Sequence, residues 1–378
     1  MQYIYSKLVK GLSLIPILLI GCRALIGPQG EYLRILSEIY VDKTLGAWQA
    51  IMLANHTGLQ YEGQFLDEPG PGETIQLALL DEWSTDDDTA IEWVDLHILE
   101  TYGIEPSYEQ IRDEWVAHLN NDIWNASLRA RQLMDEGVLP PDTGSANLNP
   151  VGAWSISAQL QTELFGLIAP GMPLQAAQRA SYFARVTNSG PAVEASAFYA
   201  AMYALAYFDA DIPMIIENAA QQLPADAQIR QIANQVKHWY ELHPDDWRAT
   251  RELIRQEYDH DPEWWASRVN FASTIMALYY GKGDFMRTLT IACLAGWDAD
   301  NNATTSAGLL GIILGFDRLP EAVRNATQVY FNQDVTGGLP EYTSVPEIVA
   351  QTQVVAETLI KQVGGVVHAE EYLIPVRH

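Results

Sequence analysis

The run Ala195-Ser-Ala-Phe-Tyr-Ala-Ala-Met-Tyr-Ala204, and its distal counterpart Ala307-Gly-Leu-Leu-Gly-Ile-Ile-Leu-Gly315, are apolar segments built largely on small residues. Small side chains let helix backbones approach closely, so both read as packed helices of one core. Working outward from them, apolar residues recur at three- and four-residue spacing and period-2 alternation is scarce. The pattern predicts helices over 42–59 (Leu45, Trp48, Met52, Leu53), 88–101 (Ile91, Val94, Ile98), 107–119, 152–168, 173–186, 191–209, 226–241, 246–258, 263–280, 302–315 and 346–363. One stretch, Thr74 to Leu80, reads as a strand. Pro150-Val-Gly152, Pro170-Gly-Met-Pro173, His243-Pro-Asp-Asp-Trp247 and Gly281-Lys-Gly-Asp284 combine helix-stop and N-cap residue types between the helices. No repeat or Pro/Ser-rich linker divides them, which predicts an all-α, single compact multi-helix domain over 41–378.

The chain has 378 residues, 48% of them hydrophobic, ample for a full core. Acidic residues number 48 against 22 Lys plus Arg, a net charge of −26. Such a surface repels phosphate backbones and argues against nucleic acid as a partner. A phosphate-bearing small molecule can still be held where metal ions or helix N-termini neutralise it locally.

Lys7 and Lys10 precede an apolar run of Leu12, Leu14, Ile15, Ile17, Leu18, Leu19 and Ile20, too short to span a bilayer as a mature helix. The run ends in Leu19-Ile20-Gly21-Cys22, which resembles the lipobox of bacterial lipoproteins. The resemblance implies a signal peptide over 1–21, lipidation at Cys22, a tether and lead-in over 22–40, and an exported protein of the cell envelope. Its contact with the membrane would be through the lipid anchor only. Each buried acyl CH₂ contributes roughly 0.8 kcal/mol, so a multiply acylated Cys22 would hold durably. Cys293 would remain the single free thiol, leaving no internal disulfide.

Three groups of residues are candidates for chemistry. Ser84-Thr85-Asp86-Asp87-Asp88-Thr89 stands immediately before a helix. Capping needs one carboxylate, whereas three in a row repel one another unless a cation or solvent relieves them. Gly296-Trp297-Asp298-Ala299-Asp300-Asn301-Asn302-Ala303-Thr304 again precedes a helix. From that turn Asp298 and Asp300 could face one hard cation, with Asn301 as a neutral oxygen ligand, although a capped Asx-turn would use the same residues. In the third group, the helix from Gly46 ends in Glu62, flanked by Gly63; His56 within it reads as a hydrogen-bonded core histidine.

Together, and in this order, the three groups resemble the ADP-ribosylglycohydrolase family, which includes the enzyme that reactivates dinitrogenase reductase. In that family a Thr-Asp-Asp-Thr motif and a distal Gly-x-Asp-Thr-Asp segment bind two Mg²⁺ ions in an all-α fold. Asp87-Asp88-Thr89 resembles the first motif and Asp298-Ala299-Asp300 the second. Asn302-Ala303, the Gly-rich helix to Gly315, Pro320, and Tyr280-Gly-Lys-Gly-Asp-Phe285 also match the family's run. Glu62 falls where the family places a glutamate near the reacting water. Asp86 stands where the family often has a metal-binding Thr, Asn301 where Thr, Ser or Cys is common, and Asn188 about where some relatives carry a ligand-contacting His.

The resemblance implies that Asp86, Asp87, Asp88, Thr89, Asp298, Asp300 and Asn301 hold two Mg²⁺ ions, with Mn²⁺ or Ca²⁺ as alternatives. Glu62 would be the catalytic residue. The reaction would be hydrolysis of an ADP-ribosyl or related ribosyl N- or O-glycosidic bond. The partner would be an ADP-ribose-like or nucleoside-type small molecule, or an ADP-ribosylated protein. The rival reading is a non-catalytic lipoprotein that binds a nucleotide-sugar through the same metals.

Overall fold

The computed structural model describes residues 23–27, 30–258 and 260–376. The expected signal peptide over 1–21 and the lipidation site Cys22 lie outside the described residues. Helix takes up 60% of the chain, in fifteen α-helices among the described residues, so the all-α expectation holds. In chain order they are α1 (Ser37–Gly58), α2 (Asp87–Tyr102), α3 (Tyr108–His118), α4 (Asn125–Asp135), α5 (Glu163–Leu167), α6 (Pro173–Ala184), α7 (Pro191–Ala206) and α8 (Ile212–Ala220). There follow α9 (Gln228–Leu242), α10 (Trp247–Tyr258), α11 (Ser267–Gly281), α12 (Phe285–Ala295), α13 (Ala299–Leu314), α14 (Glu321–Arg324) and α15 (Val345–Gln362). Among the described residues no helix is long and apolar enough to cross a membrane.

Helix α13 lies at the centre, buried from Ala299 to Ile312 and packed by α1, α7, α11 and α12. Its tightest neighbour is α1, and small residues make that approach possible. A Cβ on Gly46 would lie 2.6 Å from the carbonyl oxygen of Gly311, and one on Gly311 would lie 2.4 Å from that of Gly46. Backbone cannot give way as a side-chain tip can, so an added methyl at either position is expected to cost about 1–3 kcal/mol. The crossing matters for the site because α1 and α13 each deliver site residues from one end.

Two small sheets fasten the periphery. Strands β1 (Arg23–Gly27), β2 (Gly30–Leu36), β6 (Val366–Val367) and β7 (Glu371–Pro375) form one, in the order β1-β2-β7-β6. Strands β3 (Trp83–Ser84), β4 (Val329–Phe331) and β5 (Tyr342–Ser344) form the other, in that order. The tether and lead-in expected over 22–40 therefore contains two strands and the start of α1. Its partner is at the other end of the chain, Leu33 opposite Ile374 and Ile35 opposite Tyr372, which no local pattern could reveal. Ile35, Tyr372 and Ile374 are fully buried in the main core.

Three further expectations are corrected. Thr74–Leu80 forms no strand and joins no sheet: the backbone N–H of Gln76 donates to the Tyr61 hydroxyl at 3.0 Å and that of Ala78 to Thr57 Oγ1 at 3.1 Å, so side chains of α1 and its following turn replace a partner strand. The helix expected over 152–168 is two 3₁₀ turns, Pro150–Ala153 and Ser157–Gln161, followed by the short α5. There the amide of Asn188 takes the carbonyls of Gly152 and Ser155 at 3.0 and 2.9 Å, so side-chain bonds stand in for the helical ladder. Helices α4, α8, α12 and the one-turn α14 were not anticipated. In α12 everything from Thr288 to Ala295 is buried, and a helix covered all round has no polar face to give it a readable period.

Candidate metal and active site

The first acidic cluster sits where β3 runs into α2. Thr85 anchors the approach: its hydroxyl donates to Asp334 Oδ2 at 2.6 Å and accepts from the Asp334 backbone N–H at 3.1 Å, while its own N–H reaches the Phe331 carbonyl. Asp86 has extended backbone and caps α2, and its N–H donates to Thr89 Oγ1 at 3.2 Å. Thr89 Oγ1 also accepts from the Tyr330 hydroxyl and donates to the Asp86 carbonyl, each at 3.2 Å. Thr89 Oγ1, expected as a neutral ligand, is thus engaged here by the Asp86 cap and by Tyr330. Asp86, Asp87 and Asp88 each present a carboxylate oxygen, all within 4.8 Å of one another.

The second cluster opens α13. Gly296 (φ 90°) and Trp297 (φ 61°) take left-handed backbone to make the turn, and a Cβ on Gly296 would lie 1.8 Å from the Phe65 carbonyl oxygen. Arg251, fully buried, braces that junction: it donates to the carbonyls of Phe65, Leu66, Asp67 and Ala295 and stacks 4.3 Å over the Trp297 ring. Asn270 then aims the helix start, its Oδ1 accepting from the Asp298 N–H at 3.0 Å and from Asn302 Nδ2 at 2.9 Å. The result holds Asp298 and Asp300 buried and within 4.8 Å of a Glu62 oxygen.

These two clusters meet. Asn301 Nδ2 donates to Asp88 Oδ1 at 2.9 Å across 213 positions of sequence. Asn55, on α1, donates to Asp86 Oδ2 at 2.8 Å and Asp88 Oδ2 at 3.2 Å. The end of α1 is pressed onto α13 so closely that a Cβ on Gly58 would lie 2.3 Å from Asp300 Cα, and the turn that follows delivers Glu62.

Electrostatically the site is a concentration of uncompensated negative charge. Burial, reinforced by the neighbouring carboxylates, pushes Asp87, Asp88 and Asp298 well above the usual carboxylate range. Asp86 rises to about 6 through burial and the Asp300 charge, and Glu62, itself solvent-exposed, to about 7 through partial desolvation and the charges of Asp300 and Asp86. Among the described residues no ion pair reaches any of them. His56, the nearby imidazole, is held toward its neutral form by burial, bonds the Ser84 carbonyl at 3.0 Å and stacks on Trp83, as a core histidine does. Asp300 Oδ1 and Asn301 Oδ1 are buried without a hydrogen-bond partner. Such a set must either hold protons or receive a cation, and donors that are all oxygen suit a hard divalent ion. The residues therefore fit the metal centre that the family resemblance implies.

Asn188 does not approach this centre through any hydrogen bond; its amide holds the 3₁₀ turns described above. Asn55, Asn270, Arg251 and the Thr85–Asp334 pair were missed in the sequence, because polar residues inside apolar helices look alike whether they aim a carboxylate or satisfy a turn. A surface hollow of about 620 Å³ between Ile75 and Trp247 shares no residue with the carboxylate centre, so chemistry and not cavity size marks the site.

Comparison with known proteins agrees with this geometry. The sequence model of the ADP-ribosylglycohydrolase family matches residues 36–356, a span that includes every site residue named above except Cys22. Among curated proteins none matches the sequence. Among solved structures, one described as an "ADP-ribosylglycohydrolase-related protein complex" is similar in fold, with a TM-score of 0.57 and 17% identity, over 85% of this chain and 99% of that one. With the family's sequence pattern spanning most of its length and the helical fold shared, the chain belongs to the ADP-ribosylglycohydrolase family.

Proposed function

We propose that the protein is a metal-dependent glycohydrolase that cleaves an ADP-ribosyl or related ribosyl N- or O-glycosidic bond, and that it works outside the cytoplasm, anchored through lipid on Cys22. One observation carries the catalytic reading: the Asp88–Asn301 contact, which joins the two acidic clusters while leaving Asp300 Oδ1 and Asn301 Oδ1 buried and unpartnered. Asp86, Asp87, Asp88, Asp298 and Asp300 would hold two Mg²⁺ ions, with Mn²⁺ or Ca²⁺ as substitutes, and Asn301 Oδ1 would add a neutral oxygen. When bound, such ions supply Lewis acidity toward substrate oxygens and neutralise the carboxylates.

The remaining work falls to the protein. Glu62 faces Asp298 and Asp300 from the solvent side, where its carboxylate can serve as a general base toward a water molecule. It accepts a proton from water as the water oxygen forms its bond to the anomeric carbon. The bond from that carbon to the leaving nitrogen or oxygen breaks, and the leaving group takes up a proton, giving a free ribosyl product plus an amine or alcohol. Positive charge develops on the ribose in between, which nearby carboxylates would stabilise electrostatically. Asn55 and Asn270 keep the aspartates in register.

A second reading, metal-dependent capture of a nucleotide-sugar without turnover, is favoured by the acid at Asp86 and by Asn301 covering one oxygen of Asp88. Assays of ADP-ribosyl and nucleoside substrates with Mg²⁺ separate the two: release of a ribosyl product supports hydrolysis, and saturable binding with no product supports capture. The anchor is tested by metabolic labelling with palmitate, which should mark the wild type and not Cys22→Ser; an unlabelled wild type that stays out of membranes removes the localisation proposal.

A further inference from the structure

Away from the carboxylate centre, α2 and α3 bring together a set of donors of a different kind. His97 lies on α2, and Glu114 and His118 lie one turn apart on α3; one ligand atom from each falls within 4.8 Å of the others. His97 Nε2 is 3.3 Å from Glu114 Oε2, and His118 Nε2 is 2.9 Å from the same oxygen. We propose that these three residues form a second metal site, for a zinc-type transition-metal ion, which ties α2 and α3 to the segment that carries Asp334.

The argument begins with the tautomer of His118. Its Nδ1 is 2.7 Å from the Thr336 carbonyl oxygen, which can only accept, so Nδ1 carries the proton. In the neutral ring Nε2 then presents a lone pair to a carboxylate oxygen that also only accepts. That contact needs a cation between the partners, either a proton or a metal. Burial holds His97 toward its neutral form, in which the ring keeps one nitrogen lone pair and its Nε2 can turn it to an ion in the same space. Tyr102 donates its hydroxyl to the other oxygen of Glu114 at 2.6 Å, which turns Oε2 toward the two imidazoles. A histidine whose far nitrogen is bound by a carbonyl, and a carboxylate held by a hydroxyl, are the outer contacts that orient metal ligands.

The spacing fits a small tetrahedral ion. Ligands about 2.0–2.1 Å from a tetrahedral centre lie about 3.3 Å from one another, close to the separations seen here before any ion has drawn the groups into place. His118 and Glu114 are well covered, with side-chain exposures of 7% and 14%, whereas His97 at 31% leaves the fourth position open to water. Two imidazoles and one carboxylate select zinc-like ions over magnesium, the reverse of the all-oxygen centre.

The site also sits on a short route to the other one. The Thr336 N–H donates to the His118 carbonyl at 2.9 Å, and Asp334, two residues earlier, is bonded to Thr85 beside Asp86. An ion holding His97 to His118 would therefore brace the approach to the first acidic cluster from outside.

The test uses the full chain, freed of metal with a chelator and kept in saturating Mg²⁺ so that the carboxylate centre is blocked. Zn²⁺ is titrated against a chromophoric chelator, and Co²⁺ is added in parallel for its visible spectrum. One Zn²⁺ per chain is expected, with the strong Co²⁺ absorption of a four-coordinate site. His97→Ala, at the exposed edge, should weaken Zn²⁺ binding by at least about 100-fold with circular dichroism and Mg²⁺ response unchanged. Asp298→Ala should keep the Zn²⁺ site. Equal Zn²⁺ affinity in the wild type and His97→Ala, or the weak Co²⁺ spectrum of six oxygen ligands, would overturn the proposal and leave the cluster as a proton-bridged pair.

Discussion

Helix α2 carries two sets of acids that burial treats alike and the fold treats differently. At its N-terminus Asp86, Asp87 and Asp88 meet Asp298, Asp300 and Glu62. One turn further along, Glu92 is fully buried and faces Glu163 from α5. Burial raises the proton affinity of both sets. The glutamate pair, however, is answered by neutral donors: the Leu164 N–H reaches Glu92 Oε1 at 2.7 Å, Thr305 reaches Glu163 Oε1 at 2.5 Å, and the hydroxyl and N–H of Thr162 each reach Glu163 Oε2 at 3.1 Å. Asp86 and Asp88 accept from the Asn55 and Asn301 amides, Asp300 Oδ1 and Asn301 Oδ1 from nothing, and in the glutamate pair Glu92 Oε2 is the one oxygen left without a partner. Burial by itself thus marks a carboxyl that keeps its proton; convergence without donors marks one waiting for a cation. Asp95 makes the same point singly: fully buried, it is pushed well above the usual carboxylate range by burial, with the Trp115 indole as the group that draws it back.

The largest expected effect comes from breaking the unanswered set. Asp298→Ala should abolish stabilisation by Mg²⁺ in thermal melts, where the wild type gains about 2.7 kcal/mol at a hundred times its Kd, and should remove hydrolysis altogether. A variant that still melts higher with Mg²⁺ would mean that Asp298 is no ligand. Glu62→Gln comes next: product release should fall about 10²–10⁴-fold while the Mg²⁺ shift persists, since Glu62 serves the water. Loss of both together would make it a ligand instead.

The pH dependence of the metal-free protein sharpens the contrast further. Asp86 at about 6 and Glu62 at about 7 hold protons in the folded state that the unfolded chain has already released. Raised carboxyls contribute stability that is full below the ordinary carboxylate range and lost as pH climbs through their folded values. Melting temperature without metal should therefore fall between about pH 4 and about pH 7, and saturating Mg²⁺ should flatten that fall by favouring the ionised forms. A slope that Mg²⁺ leaves untouched would place its origin in the Glu92–Glu163 pair. Smallest of all is the effect of Glu92→Gln, which keeps shape and hydrogen-bonding capacity: stability should move by no more than about 1 kcal/mol, with the Mg²⁺ increment equal to that of the wild type.

Much of this arrangement could be read from the chain because its signals are local. The helical period announced α1, α2 and α13, and acids ahead of helices announced both clusters. What escaped was set by distance. The strands β2 and β7 find each other from opposite ends, the segment 74–80 bonds to Thr57 and Tyr61 instead of a neighbour, and Asn188 unpicks the helix expected over 152–168. Asn55 and Asn270 are indistinguishable in sequence from other buried amides, and only the folded chain shows which oxygen each one aims. His97, Glu114 and His118 were likewise silent, since a His four residues after a Glu gains meaning when a second helix supplies the third donor.

The central claim, that carboxylates more than two hundred positions apart share one divalent centre, is tested most directly by Mn²⁺ binding. Equilibrium titration followed by electron paramagnetic resonance, on the wild type, Asp88→Ala, Asp298→Ala and the double variant, reads occupancy without relying on turnover. A shared centre predicts that either single substitution removes most of the binding and that the second adds little to the first, a strongly non-additive cycle. Independent, additive losses, or a single variant that binds Mn²⁺ as the wild type does, would show that the two clusters cap their own helices and contradict the account.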